Sequence, residues 1–123
     1  MYTLDTNVVI YYLKGEPAVT TFLERIAARE TALYVASVTE VELFGFSKLT
    51  EKEEEGIELF LETISVIPLD SQIARIAGSL RRRYALKVPD SIIGGTALFT
   101  GSTLVTRNIR DFERVPQLTI ERI

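Results

Sequence analysis

Short apolar runs alternate with stretches of helical spacing along the whole chain. A run over Tyr2–Leu4 reads as a β-strand and stops abruptly at Asp5. Val8 to Leu13 then carries helical spacing that Gly15 ends, and Pro17 suits the first turn of a helix whose Val19, Phe22, Leu23 and Ile26 share one face. Leu33-Tyr34-Val35-Ala36 is a second strand, rich in β-formers. Ser37-Val38-Thr39-Glu40 has the spacing of a capping box and opens a helix bearing Val41, Leu43, Phe44 and Phe46. A second such box, Thr50 to Glu53, opens a helix predicted over residues 50–64. Ser65 to Leu69 is a third strand, and Pro68 places it at an edge or at a strand end.

The second half repeats the alternation. Asp70 or Ser71 caps a helix through Ile73, Ile76, Ala77 and Leu80 that ends in Arg81-Arg82-Arg83-Tyr84. Three arginines there complement the helix dipole, and beside an acidic site they also suit phosphates. Val88-Pro89-Asp90 opens a nearly all-apolar helix reaching Thr100-Gly101, a pattern that belongs to a buried helix. Its Gly94-Gly95 pair permits close packing, and Asp90 is expected at its exposed tip. Leu104-Val105-Thr106 is a fourth strand, residues 107–112 a turn or short helix, and Leu118 to Ile123 a last strand.

Strands alternating with helices predict an α/β fold with a mostly parallel sheet, and 123 residues suit one domain, 1–123. In such a sheet, ligands sit beyond the carboxyl ends of the strands. Polar groups recur at just those junctions: Asp5 after the first strand, Glu42 in the helix after the second, Asp90 at the start of the buried helix, and Asn108 with Asp111 after the fourth. Asp5 or Thr6 is also a natural helix cap. Glu40 and Glu42 lie two apart and face different sides. The run Glu51-Lys52-Glu53-Glu54-Glu55 is a solvated first turn and takes no chemistry.

Composition narrows the chemistry. The chain has no cysteine and no histidine, which excludes thiolate and imidazole metal sites and the histidine-dependent triads. Catalysis would rest on carboxylates, hydroxyls, amides, Lys, Arg or an oxygen-bound cation such as Mg²⁺ or Mn²⁺. Several carboxylates brought together raise one another's pKa, and a divalent cation relieves the repulsion. The net charge of −3 does not advertise nucleic-acid binding, nor does it oppose it once cations fill such a cluster. No apolar run approaches the roughly 20 residues of a membrane span, and no signal peptide is evident, so a complete, cytoplasmic protein without membrane contact is expected.

In Leu4-Asp5-Thr6-Asn7, Ser37 to Gly45, Pro89-Asp90-Ser91-Ile92-Ile93 and Thr106 to Phe112, the chain resembles the PIN-domain nucleases, and most of all the VapC-type toxins of toxin–antitoxin pairs. The resemblance spans the whole chain with its motifs in order. It implies a three-layer α/β/α sandwich, Mg²⁺- or Mn²⁺-dependent RNA cleavage, inhibition by a cognate antitoxin protein, and a homodimer. Carried over by position, Asp5 and Asp90 would be the metal ligands and Glu42 the further acid, holding a water. Asn108 would take a place where many members have Asp, with Asp111 in compensation or capping the turn before Phe112. Thr6 and Thr106 would orient these groups. The nearby Arg107 and Arg110 are candidates for holding the RNA backbone, with ordinary loop solvation as the alternative. The Leu43-Phe44-Phe46-Leu49 stretch has more apolar residues than one face needs, as a self-association surface or a wholly intramolecular core would.

Two other readings compete. A phosphoacceptor signalling domain would use Asp70 as acceptor, but it requires adjacent acids after the first strand and a Lys after the last core strand. Thr6-Asn7 and Thr106-Arg107-Asn108 stand there instead. A PIN fold that binds RNA or a partner without cutting it is the other.

Overall fold

The computed structural model describes residues 1–123. In chain order the elements are β1 (Tyr2–Leu4), α1 (Thr6–Leu13), α2 (Pro17–Ala28), β2 (Leu33–Ala36), α3 (Ser37–Phe44), α4 (Glu51–Glu62), β3 (Ser65–Ile67), α5 (Ser71–Tyr84), α6 (Val88–Thr100), β4 (Thr103–Thr106), α7 (Ile109–Phe112) and β5 (Ile120–Arg122). All five strands are parallel, in the order β3-β2-β1-β4-β5. Parallel neighbours need long crossovers, and the helices supply them. From central β1 the chain winds outward to β2 and β3, then returns to the other side of β1 for β4 and β5. The order therefore reverses between β1 and β4, where Leu4 stands opposite Val105. A crevice opens beyond strand ends at such a point.

The strands carry apolar residues toward both faces. Leu4, Val35 and Val105 pack with Val8, Phe22, Leu43 and Phe60 of α1 to α4. Ala36 and Leu104 pack on the opposite side with Ile93, Ala97 and Phe112 of α6 and α7 and Ala77 of α5. Successive strand residues point to opposite faces, so Leu104 and Val105 serve different layers. The result is the expected three-layer sandwich, with a sheet parallel throughout. Between α5 and α6 the backbones come close: a Cβ on Gly95 would touch the Ala77 nitrogen at 3.4 Å and the Ile73 carbonyl oxygen at 3.5 Å.

Several local expectations change. The α4 box forms, with Thr50 Oγ1 accepting from Glu53 N–H at 3.1 Å and Glu53 Oε1 from Thr50 N–H at 3.2 Å. The box read at Ser37 does not. Ala36 occupies the N-cap position of α3, and Ser37 Oγ instead accepts from Leu69 N–H at 3.1 Å, tying α3 to the loop after β3. α1 starts at Thr6 rather than Val8, directly off β1, because the Asp5 carbonyl accepts Val8 N–H at 3.0 Å. The helix predicted over residues 50–64 ends at Glu62, and β3 and β5 are shorter than expected. β3 is an edge strand with Pro68 just beyond it. Asp70 is the cap of α5, its Oδ1 accepting Ile73 N–H at 2.9 Å.

Candidate active site

Asp5 ends β1 at the reversal point. It holds the N-cap position of α1, yet its carboxylate makes no cap hydrogen bond, so capping does not explain the residue. The side chain is almost wholly buried, and its Oδ2 accepts the Thr106 hydroxyl proton at 2.8 Å. Thr106, fully buried at the end of β4, also accepts Asn108 N–H at 2.9 Å on the same oxygen. Burial pushes the Asp5 carboxyl up from 3.8 to about 6. The Thr106 hydroxyl and the Thr6 N–H oppose that rise, while the charges of Asp90 and Glu42 add to it.

Glu42 comes from α3. Its Oε1 accepts the Thr6 hydroxyl proton at 2.6 Å, and the Thr6 oxygen lies 2.9 Å from that of Thr39. Glu42 therefore faces the start of α1 and the acids, as its separation from Glu40 suggests. Thr39, fully buried, is the residue that the sequence reading missed. The available signal was its place three residues before Glu42, on the same face of a helix.

Asp90 lies in the first turn of α6 and is half-buried rather than exposed. Its carboxyl is raised by burial first, then by the charges of Asp111 and Glu42, against the opposing Lys87. Asp111 also pairs with Arg114 at 3.2 Å. Asn108 is half-buried at the N-cap position of α7 and makes no side-chain cap bond. Asp5, Glu42, Asp90 and Asp111, supplied by four different segments, thus share one electrostatic neighbourhood. No three of them form a ready-made ligand cage. The donor set fits a hard divalent cation on two grounds. It offers oxygen alone, and it includes a buried carboxyl whose charge a cation would restore.

The arginines divide. Arg107, expected to hold RNA, is engaged within the chain: its guanidinium pairs with Glu16 through two nitrogens, donates to the Ile123 carbonyl at 3.1 Å and lies 4.6 Å over the Tyr11 ring. It staples β4 to the α1–α2 connection. Arg110 is exposed and makes no ion pair. Arg81 closes the end of α5 by donating to the Leu86 carbonyl at 2.9 Å, while Arg82 and Arg83 stay exposed, which accords with the role at the helix end.

A parallel sheet with acids gathered at its reversal point defines the class, and the chain belongs to the PIN-domain family, whose model matches residues 2–118. Within that family, several of its relatives are VapC ribonucleases. It is 33% identical to the tRNA(fMet)-specific endonuclease VapC of Salmonella typhimurium and 29% identical to ribonuclease VapC2 of Rickettsia felis, each across 98% of this chain and 96% of the relative. The fold is similar to that of VapBC2 from Rickettsia felis bound to a promoter DNA fragment, at 27% identity and a TM-score of 0.87 over 99% of this chain and 98% of that one. DNA-bound VapBC from Salmonella typhimurium superposes with a TM-score of 0.86 at 31% identity, over 98% and 96% of the two chains.

Proposed function

We propose that this chain is a Mg²⁺- or Mn²⁺-dependent endoribonuclease and the toxin of a toxin–antitoxin pair. The observation that carries the reading is the buried Asp5, raised to about 6 and surrounded by Asp90 and Glu42. Asp5 and Asp90 would hold the ion. Bound there, it supplies a lowered pKa for water and a counter-charge for the phosphodiester under attack. Thr106 keeps Asp5 aimed into the crevice, and Thr6 does the same for Glu42. Glu42 holds the attacking water. Asn108 offers an uncharged amide to a phosphate oxygen, and Asp111 completes the acidic rim under the hold of Arg114. Arg110 binds the RNA backbone.

The VapBC and toxin–antitoxin complexes among the structural neighbours support a cognate antitoxin as partner. Val41, 70% exposed, and Phe46, 51% exposed, support a homodimer, since both leave apolar surface on or beside α3. No helix is long and apolar enough to cross a membrane, and an RNA substrate would suit a cytoplasmic location. The test is incubation of purified protein with mixed RNA in Mg²⁺, in Mn²⁺ and in EDTA. Cleavage confined to the metal-containing reactions is the expected result. Binding of RNA without cleavage in any of them would favour a PIN-fold binder instead.

A further inference from the structure

Thr39 occupies a core position, fully shielded from solvent and one turn before buried Leu43. Valine would fill the same volume without a polar atom to satisfy, so a threonine there needs a reason. Its hydroxyl has one side-chain partner, Thr6 Oγ1 at 2.9 Å. The two α6 threonines spend their proton on their own backbone: Thr96 donates to the Ile92 carbonyl and Thr100 to that of Thr96, both at 2.8 Å. Thr39 spends its proton on another helix.

Proton counting fixes the direction of that bond. A carboxylate only accepts, so the Thr6 hydroxyl donates its single proton to Glu42 Oε1 at 2.6 Å. Thr6 is left only lone pairs for Thr39, and Thr39 must be the donor. The chain therefore runs one way, Thr39 to Thr6 to Glu42, beginning and ending on the same helix and passing through the first residue of α1. The bond from Thr39 settles the Thr6 hydroxyl in the orientation that points its proton at Glu42. Bonds in such a chain also polarise one another, so each is stronger for the other.

We propose that Thr39 is a positioning residue: through Thr6 it fixes the direction of the Glu42 carboxylate toward Asp5 and Asp90. The proposal rests on the nuclease reading for its catalytic consequence, but the hydrogen-bond chain itself does not. Partners of this kind behind a site cost about 10- to 100-fold in activity when removed.

The experiment compares wild type with Thr39→Val, which keeps shape and loses the proton, and Thr39→Ser, which keeps the proton. RNA cleavage is measured at varied substrate, and urea unfolding is measured for Thr39→Val, Glu42→Ala and the double variant. Thr39→Val is expected to lower kcat about 10- to 100-fold at unchanged KM, with Thr39→Ser close to wild type. The urea midpoints are expected to be non-additive, with Thr39→Val costing less once Glu42 is gone. A Thr39→Val enzyme with wild-type kcat, a loss confined to KM, equal impairment of the serine variant, or strictly additive midpoints would overturn the proposal. If wild type itself cuts no RNA, the nuclease reading fails, and the unfolding cycle alone decides whether Thr39 positions Glu42.

Discussion

Thr106 donates its hydroxyl proton to Asp5 Oδ2 at 2.8 Å and takes Asn108 N–H on the same oxygen at 2.9 Å. One hydroxyl, at the end of β4, thereby orients the buried acid at the end of β1 and pins the loop that carries Asn108. Thr106→Val keeps the volume and removes both bonds. We expect a loss of about 1–2 kcal/mol in urea unfolding. The carboxyl of Asp5 would rise further above about 6, since the bond that lowers it is gone. The acidic limb of the kcat/KM profile should move to higher pH with it. A limb that stays in place would disconnect Thr106 from Asp5.

Asp5 also sets a pH dependence of stability in EDTA. Its folded value, about 6, exceeds its ordinary 3.8, so between these values the native state holds a proton that the unfolded state has released. Stability therefore falls as pH rises from about 4 to 6, by about 3 kcal/mol for this group, and the deficit persists above 6. Asp90 contributes with the same sign. Asp5→Asn should flatten the slope and leave the metal-free protein more stable than wild type at pH 7. Urea titrations at pH 4.5 and pH 7 would show it. Equal slopes for the two proteins would contradict the burial argument.

Removing the metal should matter to stability as well as to activity. An ion that binds only the folded state stabilises by about 2.7 kcal/mol at a hundredfold excess over its Kd. Mn²⁺ should raise the melting temperature of wild type at pH 7, and Asp5→Asn and Asp90→Asn should lose most of that rise. A uniform rise in all three would locate the ion elsewhere.

Arg107 and Arg110 should separate cleanly. Arg107→Ala breaks the staple to Glu16 and Tyr11 and should lower the urea midpoint while leaving RNA affinity intact. Arg110→Ala should do the reverse. It should weaken RNA binding and reduce the log–log salt slope by about 1, because one phosphate contact is lost. The opposite assignment in these two assays would restore Arg107 as the RNA ligand.

The end of α5 offers a test of the fold alone. Ala85 sits in the left-handed region at φ 57°, where a Cβ is strained. Ala85→Gly should stabilise the protein by about 1 kcal/mol in urea unfolding.

Much of this was legible in the chain because the strands end so sharply. Asp5 and Asn108 follow apolar strands, whose ends share one side of a parallel sheet, and Asp90 marks the start of the apolar α6. Glu42 was marked by its offset from Glu40. What escaped depended on contacts between distant segments. The Ser37 box looks identical in spacing to the Thr50 box, yet Ser37 Oγ is claimed by Leu69, 32 residues away. Arg107 looks like any arginine in a loop until Glu16 and Tyr11 are placed beside it. Thr39 reads as an ordinary helix residue because its partner, Thr6, lies 33 positions earlier.

The most direct test of the central claim is RNA cleavage by wild type, Asp5→Asn and Asp90→Asn, at equal concentration in Mn²⁺, with folding checked by circular dichroism. Our account predicts that wild type cleaves and that both folded variants lose the activity. Cleavage by either variant at the wild-type rate would contradict it.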